Sequence, residues 1–547
     1  MAVRRTVGQI LIEFLKQRGV RYVFGVSGHS VFDITDPIYL EPDMEFVSTQ
    51  IEISASYMAE GYARASRGLG VCLASSGAGA TNLITGIAQA FKESSPVIAL
   101  SADVARDRAN RGASSWHEIP QAEIFRPITK MSVTLQSAED VIDVLGEAYR
   151  QATTGRKGPV YIGIPVDLQT EEIEFDGFPT SAAPPAPLPP DPDLVRQVAS
   201  ELAAAKSLTI IAAGGVYWGE AEAELQALAE LLHAPFGVPH SQKGLISEDH
   251  PLALGVLGFA SYPYANKACL ESDVILAVGT TFSEGMTLGY GHSVIPEGAR
   301  IIQVDSDPKE IGKIYPTHIG IAADAKQTLQ ALVAELQSRG FQADRSSARM
   351  ERIADDKRRW REEVAKRGTS SEVPINQWQL YHALSNIVDD NTLVVGEGGT
   401  GELLSRFHAI DKVHHSGDFR AIGHGMSTAI GVNYAFPDKK VVCVSGDGSF
   451  MMELQELATA ARCGFPILFV VVHNDAYGNM KRDQIRHYGG RVIGTELNVP
   501  DLCALASSFG VESQRVERPD EIAPALNRLF RSPRPALLDV ISPIEGI

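Results

Sequence analysis

The sequence predicts an α/β fold of three doubly wound parallel-sheet domains, and three observations carry that expectation. At 547 residues the chain exceeds what one hydrophobic core serves. Short apolar runs rich in β-branched residues alternate with helical periodicity in each third, as expected of strands covered on both faces. A proline-rich stretch and a charged run divide the chain.

Taken in order, Gly70–Ser75, Thr81–Phe91 and Val97–Ser101 read as strand, helix and strand. Leu208–Ala213 followed by Glu220–Leu232, and Lys440–Ser445, Met451–Cys463 and Ile467–His473, repeat the plan. Ser181 to Pro192, SAAPPAPLPPDP, cannot continue a helix or central strand and reads as an extended linker. Asp344 to Arg367 reads as a solvated charged helix, and Gly368 to Pro374 as a loop. The expected units are therefore 1–180, 193–343 and 375–547, joined by linkers 181–192 and 344–374.

Apolar residues at 44% and charged residues at 21% are ordinary for a globular protein. A net charge of −18 leaves no general basic surface, so neither nucleic acid nor an anionic membrane is an expected partner. The N-terminus has two arginines but no apolar signal region, and no run of about 18 apolar residues follows, so a cytoplasmic location is expected. The five cysteines lack CxxC spacing and read as reduced thiols, mostly buried.

Val441 to Gly478, VVCVSGDGSFMMELQELATAARCGFPILFVVVHNDAYG, is the most informative segment. Strand, Gly-rich turn, helix and second strand span close to the roughly 30 residues of a βαβ unit, with Gly464 and Pro466 closing the helix. Asp447 and Asn474 then fall at the carboxyl ends of neighbouring parallel strands, where open sheets bind ligands. A carboxylate and a carboxamide oxygen suit Mg²⁺, which keeps positions for carbonyl, water and phosphate oxygens. Gly446 and Gly448 let the backbone approach a phosphate, and the following helix presents its N-terminus to the anion. GDG alone is also an ordinary tight turn. With 25 residues between Gly448 and Asn474, and the right elements between them, a diphosphate bound through Mg²⁺ is the better reading.

In these residues the chain resembles the thiamine-diphosphate (ThDP) dependent enzymes, whose diphosphate motif is GDG followed at this distance by Asn. GDGSF and QELATAAR are particularly similar to acetolactate synthases. The resemblance implies Mg²⁺ ligation by Asp447, Asn474 and the main-chain oxygen of Ala476, with Gly446, Gly448, Ser449, Tyr477 and Gly478 around the diphosphate. It makes the three units pyrimidine-binding, central and diphosphate-binding domains. It also implies a homodimer or homotetramer with active sites at the subunit interface. Val395 to Gly401, VGEGGTG, adds a loop in which Gly396 and Thr400 could meet the diphosphate. Ala421 to Gly431, AIGHGMSTAIG, resembles the family's segment before the GDG strand and implies Ile422 as the apolar side chain that bends the cofactor.

ThDP needs a carboxylate at its aminopyrimidine ring to become a carbon nucleophile. Glu52, in STQIEISASYMAEGYARASRGLGVCLASSGAGATN, stands where the family's activating Glu ends a strand; Glu60–Arg64 and Ser76–Asn82 match the neighbouring blocks. Read by itself, Glu52 is more often a solvated carboxylate at a helix N-terminus; its occurrence in one chain with the GDG and Asn474 motif favours the activating role.

Departures from the synthase pattern concentrate where substrate should sit. Ile51 replaces a His, GVSGHS introduces His29, Trp116-His117-Glu118 replaces FQE, and Asp483 aligns with a Trp. His29 and His117 are candidate proton shuttles, with Gln121 and Tyr477 as further candidates, although an isolated imidazole is more often structural. In the central unit Lys243-Gly244 and Gln303–Pro308 resemble the family, yet Thr281-Phe282 replaces an Arg-Phe pair, which speaks against FAD.

The resemblance therefore implies a lyase, decarboxylase or carboligase acting on a small carbonyl substrate, a 2-keto acid or an acyloin. A lyase or decarboxylase of CoA thioesters, and a non-catalytic binding or regulatory protein of the same fold, remain open alternatives.

Overall fold

The computed structural model describes residues 3–179, 186–344, 348–407, 413–415 and 417–544. A short antiparallel pair, β1 (Val3–Thr6) and β8 (Glu172–Phe175), ties the two ends of the first unit together. Between them β2 (Tyr22–Gly25), β3 (Glu45–Ser48), β4 (Gly70–Ala74), β5 (Val97–Asp103), β6 (Ser132–Thr134) and β7 (Val160–Pro165) form a parallel sheet ordered β3-β2-β4-β5-β7-β6.

The central sheet comprises β9 (Leu208–Ala212), β10 (Phe236–Pro239), β11 (Ala253–Leu257), β12 (Val274–Val278), β13 (Arg300–Asp305) and β14 (Ile319–Ala322). Its order is β11-β10-β9-β12-β13-β14, again parallel. The last sheet comprises β15 (Thr392–Gly396), β16 (Val413–His415), β17 (Lys440–Gly446), β18 (Ile467–His473), β19 (Glu512–Val516) and β20 (Ala536–Ile541), ordered β16-β15-β17-β18-β20-β19. Three doubly wound parallel sheets are thus present, as the apolar runs predict. Each reverses its winding direction between neighbouring strands, β2 and β4, β9 and β12, and β15 and β17; in the first and last sheets the chain also doubles back at the far edge, placing β7 inside β6 and β20 inside β19. At such switch points the loops leave in opposite directions and open a crevice at the carboxyl ends of the strands.

Several expected elements differ in detail. Residues 181–185 of the expected linker lie outside the described residues, and Pro192 opens helix Pro192–Ala204, where its missing N–H costs nothing. The charged helix, Ala348–Gly368, is not simply solvated: Lys357 is buried and donates to the carbonyls of Glu248, His250 and Ala253. Trp360 packs against apolar clusters of both the central and the last unit. The helix expected over Met451–Cys463 begins earlier and is broken: Asp447–Glu453, a 3-10 turn Leu454–Glu456, then Leu457–Cys463.

The first and last units share one apolar cluster, which runs from Phe24, Cys72 and Ala74 to Val395, Val441 and Phe469. Two helices, Glu52–Ser66 and Gly425–Ala435, lie face to face inside it. Their backbones approach closely because each has a glycine at the crossing. A Cβ on Gly61 would come within 2.7 Å of the Thr428 carbonyl oxygen, and one on Gly431 would land on the carbonyl oxygen of Met58. Backbone on both sides leaves nothing flexible to move aside. Gly431→Ala should therefore lower stability by about 1–3 kcal/mol, read as a lower urea midpoint; an unchanged midpoint would contradict this crossing.

Candidate active site

Two groups of residues form at carboxyl ends of strands, one at the first unit's switch point and one at the ends of β17 and β18 in the last unit. In the first unit, the loop after β2 carries His29 and the loop after β4 carries Ser75 to Gly79. A Cβ on Gly28 would come within 2.9 Å of Ser75 Cβ, so the two loops touch. Ser30 Oγ accepts the Ser76 N–H at 3.3 Å. Glu52 opens its helix, after Ile51 as cap, rather than ending the strand. Its Oε2 accepts from Asn82 Nδ2 at 2.9 Å, and a Cβ on Gly79 would lie 3.0 Å from its Oε1, so only glycine leaves the carboxylate room.

The third strand end supplies the segment of His117. Gly77, with φ +65°, packs against the His117 backbone, itself at φ +63°. Gln121 is buried behind them: its Oε1 accepts the Gly77 N–H at 2.7 Å and its Nε2 donates to the Ala102 carbonyl at 3.1 Å. Gln121 thus fixes a loop rather than facing outward. His29 and His117 are both exposed. His29 lies 5.3 Å from the half-exposed Phe32 ring, and Trp116 is 90% exposed.

In the last unit Asp447 is 1% exposed and gathers three amides. Oδ1 accepts the Gly448 N–H at 2.8 Å, and Oδ2 accepts those of Asn474 at 2.9 Å and Asp475 at 2.6 Å. Burial raises its carboxyl above the usual range, while these donors pull it back down. Asp475 sits at φ +56°, which turns consecutive N–H groups toward one oxygen.

The Asn474 side-chain oxygen is buried and has no hydrogen-bond partner, an arrangement that folded proteins avoid unless a ligand completes it. Ala476 pairs with Glu496 through flanking bonds only, Tyr477 N–H to Thr495 O and Leu497 N–H to Asp475 O. In such a pair the residue's own carbonyl points away from the partner strand. Gly446 has open space where a side chain would stand, and Gly448 lies against the Tyr477 ring. Gly478 abuts the Asn474 side chain, and Ser449 is buried at the same turn. An oxygen-rich, partly unsatisfied cradle of this kind fits Mg²⁺ and a diphosphate.

Gly396 and Thr400 do not present side chains to that cradle. Gly396 ends β15 against the Gly401 backbone, and Thr400 Oγ1 is bonded to the Glu397 carbonyl at 2.5 Å. Ile422 stands out, 41% exposed, with its Cγ2 3.9 Å from where a Gly398 Cβ would be.

Four buried carboxyl groups had not been singled out by motif. Glu397 accepts the N–H groups of Gly423, His424 and Gly425. Glu453 accepts those of Met426 and Ser427 and the Ser427 hydroxyl. Glu456 accepts the Gln50 N–H at 3.0 Å, and so joins the last unit to the segment before Glu52. Asp539 bonds His473 Nδ1 and Arg515 Nε, each at 2.8 Å, behind the Asn474 turn. Acidic residues inside apolar runs, as in VVGEGG and FMMELQE, were the available signal.

The Glu52 and Asp447 groups are not joined by a hydrogen bond among the described residues. Glu456, the contact to the Glu52 segment, lies nine residues beyond Asp447, roughly 13 Å along a helical path.

Burial, then the neighbouring Glu397, push Glu453 up to about 8 from 4.5, against the pull of its Met426 and Ser427 donors. The neutral acid is favoured in the folded chain, so this contribution to stability is whole below pH 4.5 and is lost as pH rises through about 8. The fall in urea midpoint between about pH 5 and about pH 9 should therefore be smaller in Glu453→Gln than in wild type; an equal fall would contradict the assignment.

The chain matches the thiamine pyrophosphate enzyme N-terminal TPP binding domain over residues 5–124, the central domain over 195–332 and the C-terminal TPP binding domain over 398–540. It is 34% identical to a probable acetolactate synthase large subunit of Methanocaldococcus jannaschii, covering 98% of this chain and 92% of that relative. It is 30% identical to the acetolactate synthase isozyme 1 large subunit of Escherichia coli K12, covering 98% and 94%. The acetolactate synthase large subunit of Corynebacterium glutamicum is also 30% identical, covering 98% and 87%. The chain therefore belongs to the thiamine pyrophosphate enzymes, on their acetolactate-synthase-like branch, and is a thiamine-diphosphate-dependent enzyme.

Proposed function

We propose that the chain is a Mg²⁺- and ThDP-dependent lyase or carboligase for a 2-keto acid or acyloin-type substrate, with a pocket rebuilt relative to acetolactate synthases. The observation that carries the metal and diphosphate assignment is the buried, unpartnered Asn474 oxygen beside Asp447. Asp447, Asn474 and the Ala476 carbonyl would hold Mg²⁺, and Gly446, Gly448, Ser449, Tyr477 and Gly478 would surround the diphosphate. Gly396 and Thr400 would shape the neighbouring loop from behind, and Ile422 would support the rings. When bound, ThDP supplies a ring carbon that acts as nucleophile toward a carbonyl.

The remaining work falls to side chains of the chain itself. Glu52, kept in place by Asn82 and Gly79, would hold a proton at the pyrimidine ring. His29 and His117, both exposed at the first unit's loops, would give or take a proton at the substrate oxygen. FAD is left out of the proposal: in the Thr281-Phe282 segment the Phe282 ring is buried edge-on to Tyr315 and committed to the central core.

The likeness to acetolactate synthase large subunits supports a homodimer or homotetramer with active sites at the subunit interface, in which one copy's Glu52 would meet the cradle of another. The units 1–180, 193–343 and 375–547, with linkers 181–192 and 344–374, are proposed as the domains. No described helix is long and apolar enough to cross a membrane, and we place the enzyme in the cytoplasm.

A panel of 2-keto acids, acyloins and 2-hydroxyacyl-CoA thioesters with product analysis tests the reading. Turnover confined to CoA thioesters would overturn it. For Glu52→Gln, turnover should fall by about 10²–10⁴-fold, the range of a lost proton-transfer group, with ThDP affinity little changed. Near-wild-type turnover would remove Glu52 from this role.

A further inference from the structure

We propose that Glu397 and Glu453 are positioning residues for the cofactor: together they lock the turn 423–427 and thereby hold Ile422 at a fixed place relative to the Asp447 cradle. The inference rests on the reading above and adds two residues to it.

The two carboxyl groups are 1% and 2% exposed and take five consecutive backbone amides between them. Glu397 holds Gly423, His424 at 3.0 Å and Gly425 at 3.3 Å; Glu453 holds Met426 at 2.5 Å and Ser427 at 2.9 Å, with the Ser427 hydroxyl at 2.7 Å. Starting helix Gly425–Ala435 does not require this. A single Ser, Thr, Asp or Asn at its N-cap would satisfy orphan amides at a far smaller desolvation cost than two buried acids. The arrangement instead specifies one backbone path, including Gly423 at φ +78°.

Ile422 leads directly into that path. Its side chain is held outward, where it contributes little to the core. The two acids form two halves of the turn's support: Glu397 lies between Gly396 and Gly398 in the loop beside the cradle, and Glu453 ends the helix that Asp447 opens. A shift of either half is thereby transmitted to Ile422, so the part of the site that meets the rings and the part that meets the diphosphate keep one spacing. Neither acid bonds Asp447 or Asn474 directly, so diphosphate binding and ring placement are separable.

The test uses full-length Glu397→Gln and Glu453→Gln, each of which replaces a carboxyl oxygen that accepts N–H groups of the turn by an amide nitrogen that cannot accept them. Affinities for ThDP and for inorganic diphosphate, both with Mg²⁺, are compared with wild type, and amide hydrogen exchange is followed over residues 423–427. We expect ThDP to bind at least about tenfold more weakly while diphosphate changes by less than about twofold, with faster exchange at 423–427. Unchanged ThDP affinity, or equal loss of both ligands, would overturn the proposal. If one variant does not fold, the other decides, because both hold the same turn; loss of fold in both would assign the acids to folding and overturn it. A wild type that fails to bind ThDP would overturn the underlying reading as well, whereas unaltered variants beside a binding wild type overturn only the role of the two acids.

Discussion

The crossing of helices Glu52–Ser66 and Gly425–Ala435 is the constraint on which the rest depends. Each helix begins at a site segment, one at Glu52 and the other just after Ile422, and each is clamped to its partner by backbone contact at Gly61 and Gly431. Close-packed interiors transmit displacement rather than absorb it. Fixing the crossing therefore fixes how the first unit's switch-point loops stand relative to those of the last unit, although the two sheets are separate.

Around that crossing, buried carboxyl groups do what motif glycines alone cannot. Glycines permit the turns after β4, β15 and β17 but do not select one conformation. Asp447 selects the turn after β17 by collecting the amides of Gly448, Asn474 and Asp475; Glu397 and Glu453 select the turn before Gly425; and Glu456 reaches into the first unit at Gln50. Each acid bears the cost of desolvation and is retained only because several donors meet it. Glu453 and Glu456, one just before and one ending the 3-10 turn Leu454–Glu456, are aimed at different elements, the turn before Gly425 and the first unit at Gln50.

Much of this was legible in the sequence. Continuous β-branched runs gave away three parallel sheets because strands buried on both faces carry no alternation to confuse them with edges. GDG and Asn474 were readable together because neighbouring parallel strands bring their carboxyl ends into one crevice. The charged helix Ala348–Gly368 reads as solvated because composition conceals a single buried Lys357 whose three donors are used by carbonyls. Gln121, a candidate proton shuttle by sequence, is turned inward to hold Gly77, because orientation of one side chain is not encoded in spacing. Glu397 and Glu453 were missed because a lone acid in an apolar run has no pattern of its own; only the fold brings the amides of 423–427 to it.

The central claim is that Asp447 and Asn474 form a Mg²⁺-dependent ThDP cradle. Calorimetric titration of the purified protein with ThDP, with and without Mg²⁺, tests it most directly. Saturable binding of one ThDP per chain that requires Mg²⁺, and that Asp447→Asn abolishes without loss of fold, is the predicted result. Binding of equal strength without Mg²⁺, or in folded Asp447→Asn, would contradict the account.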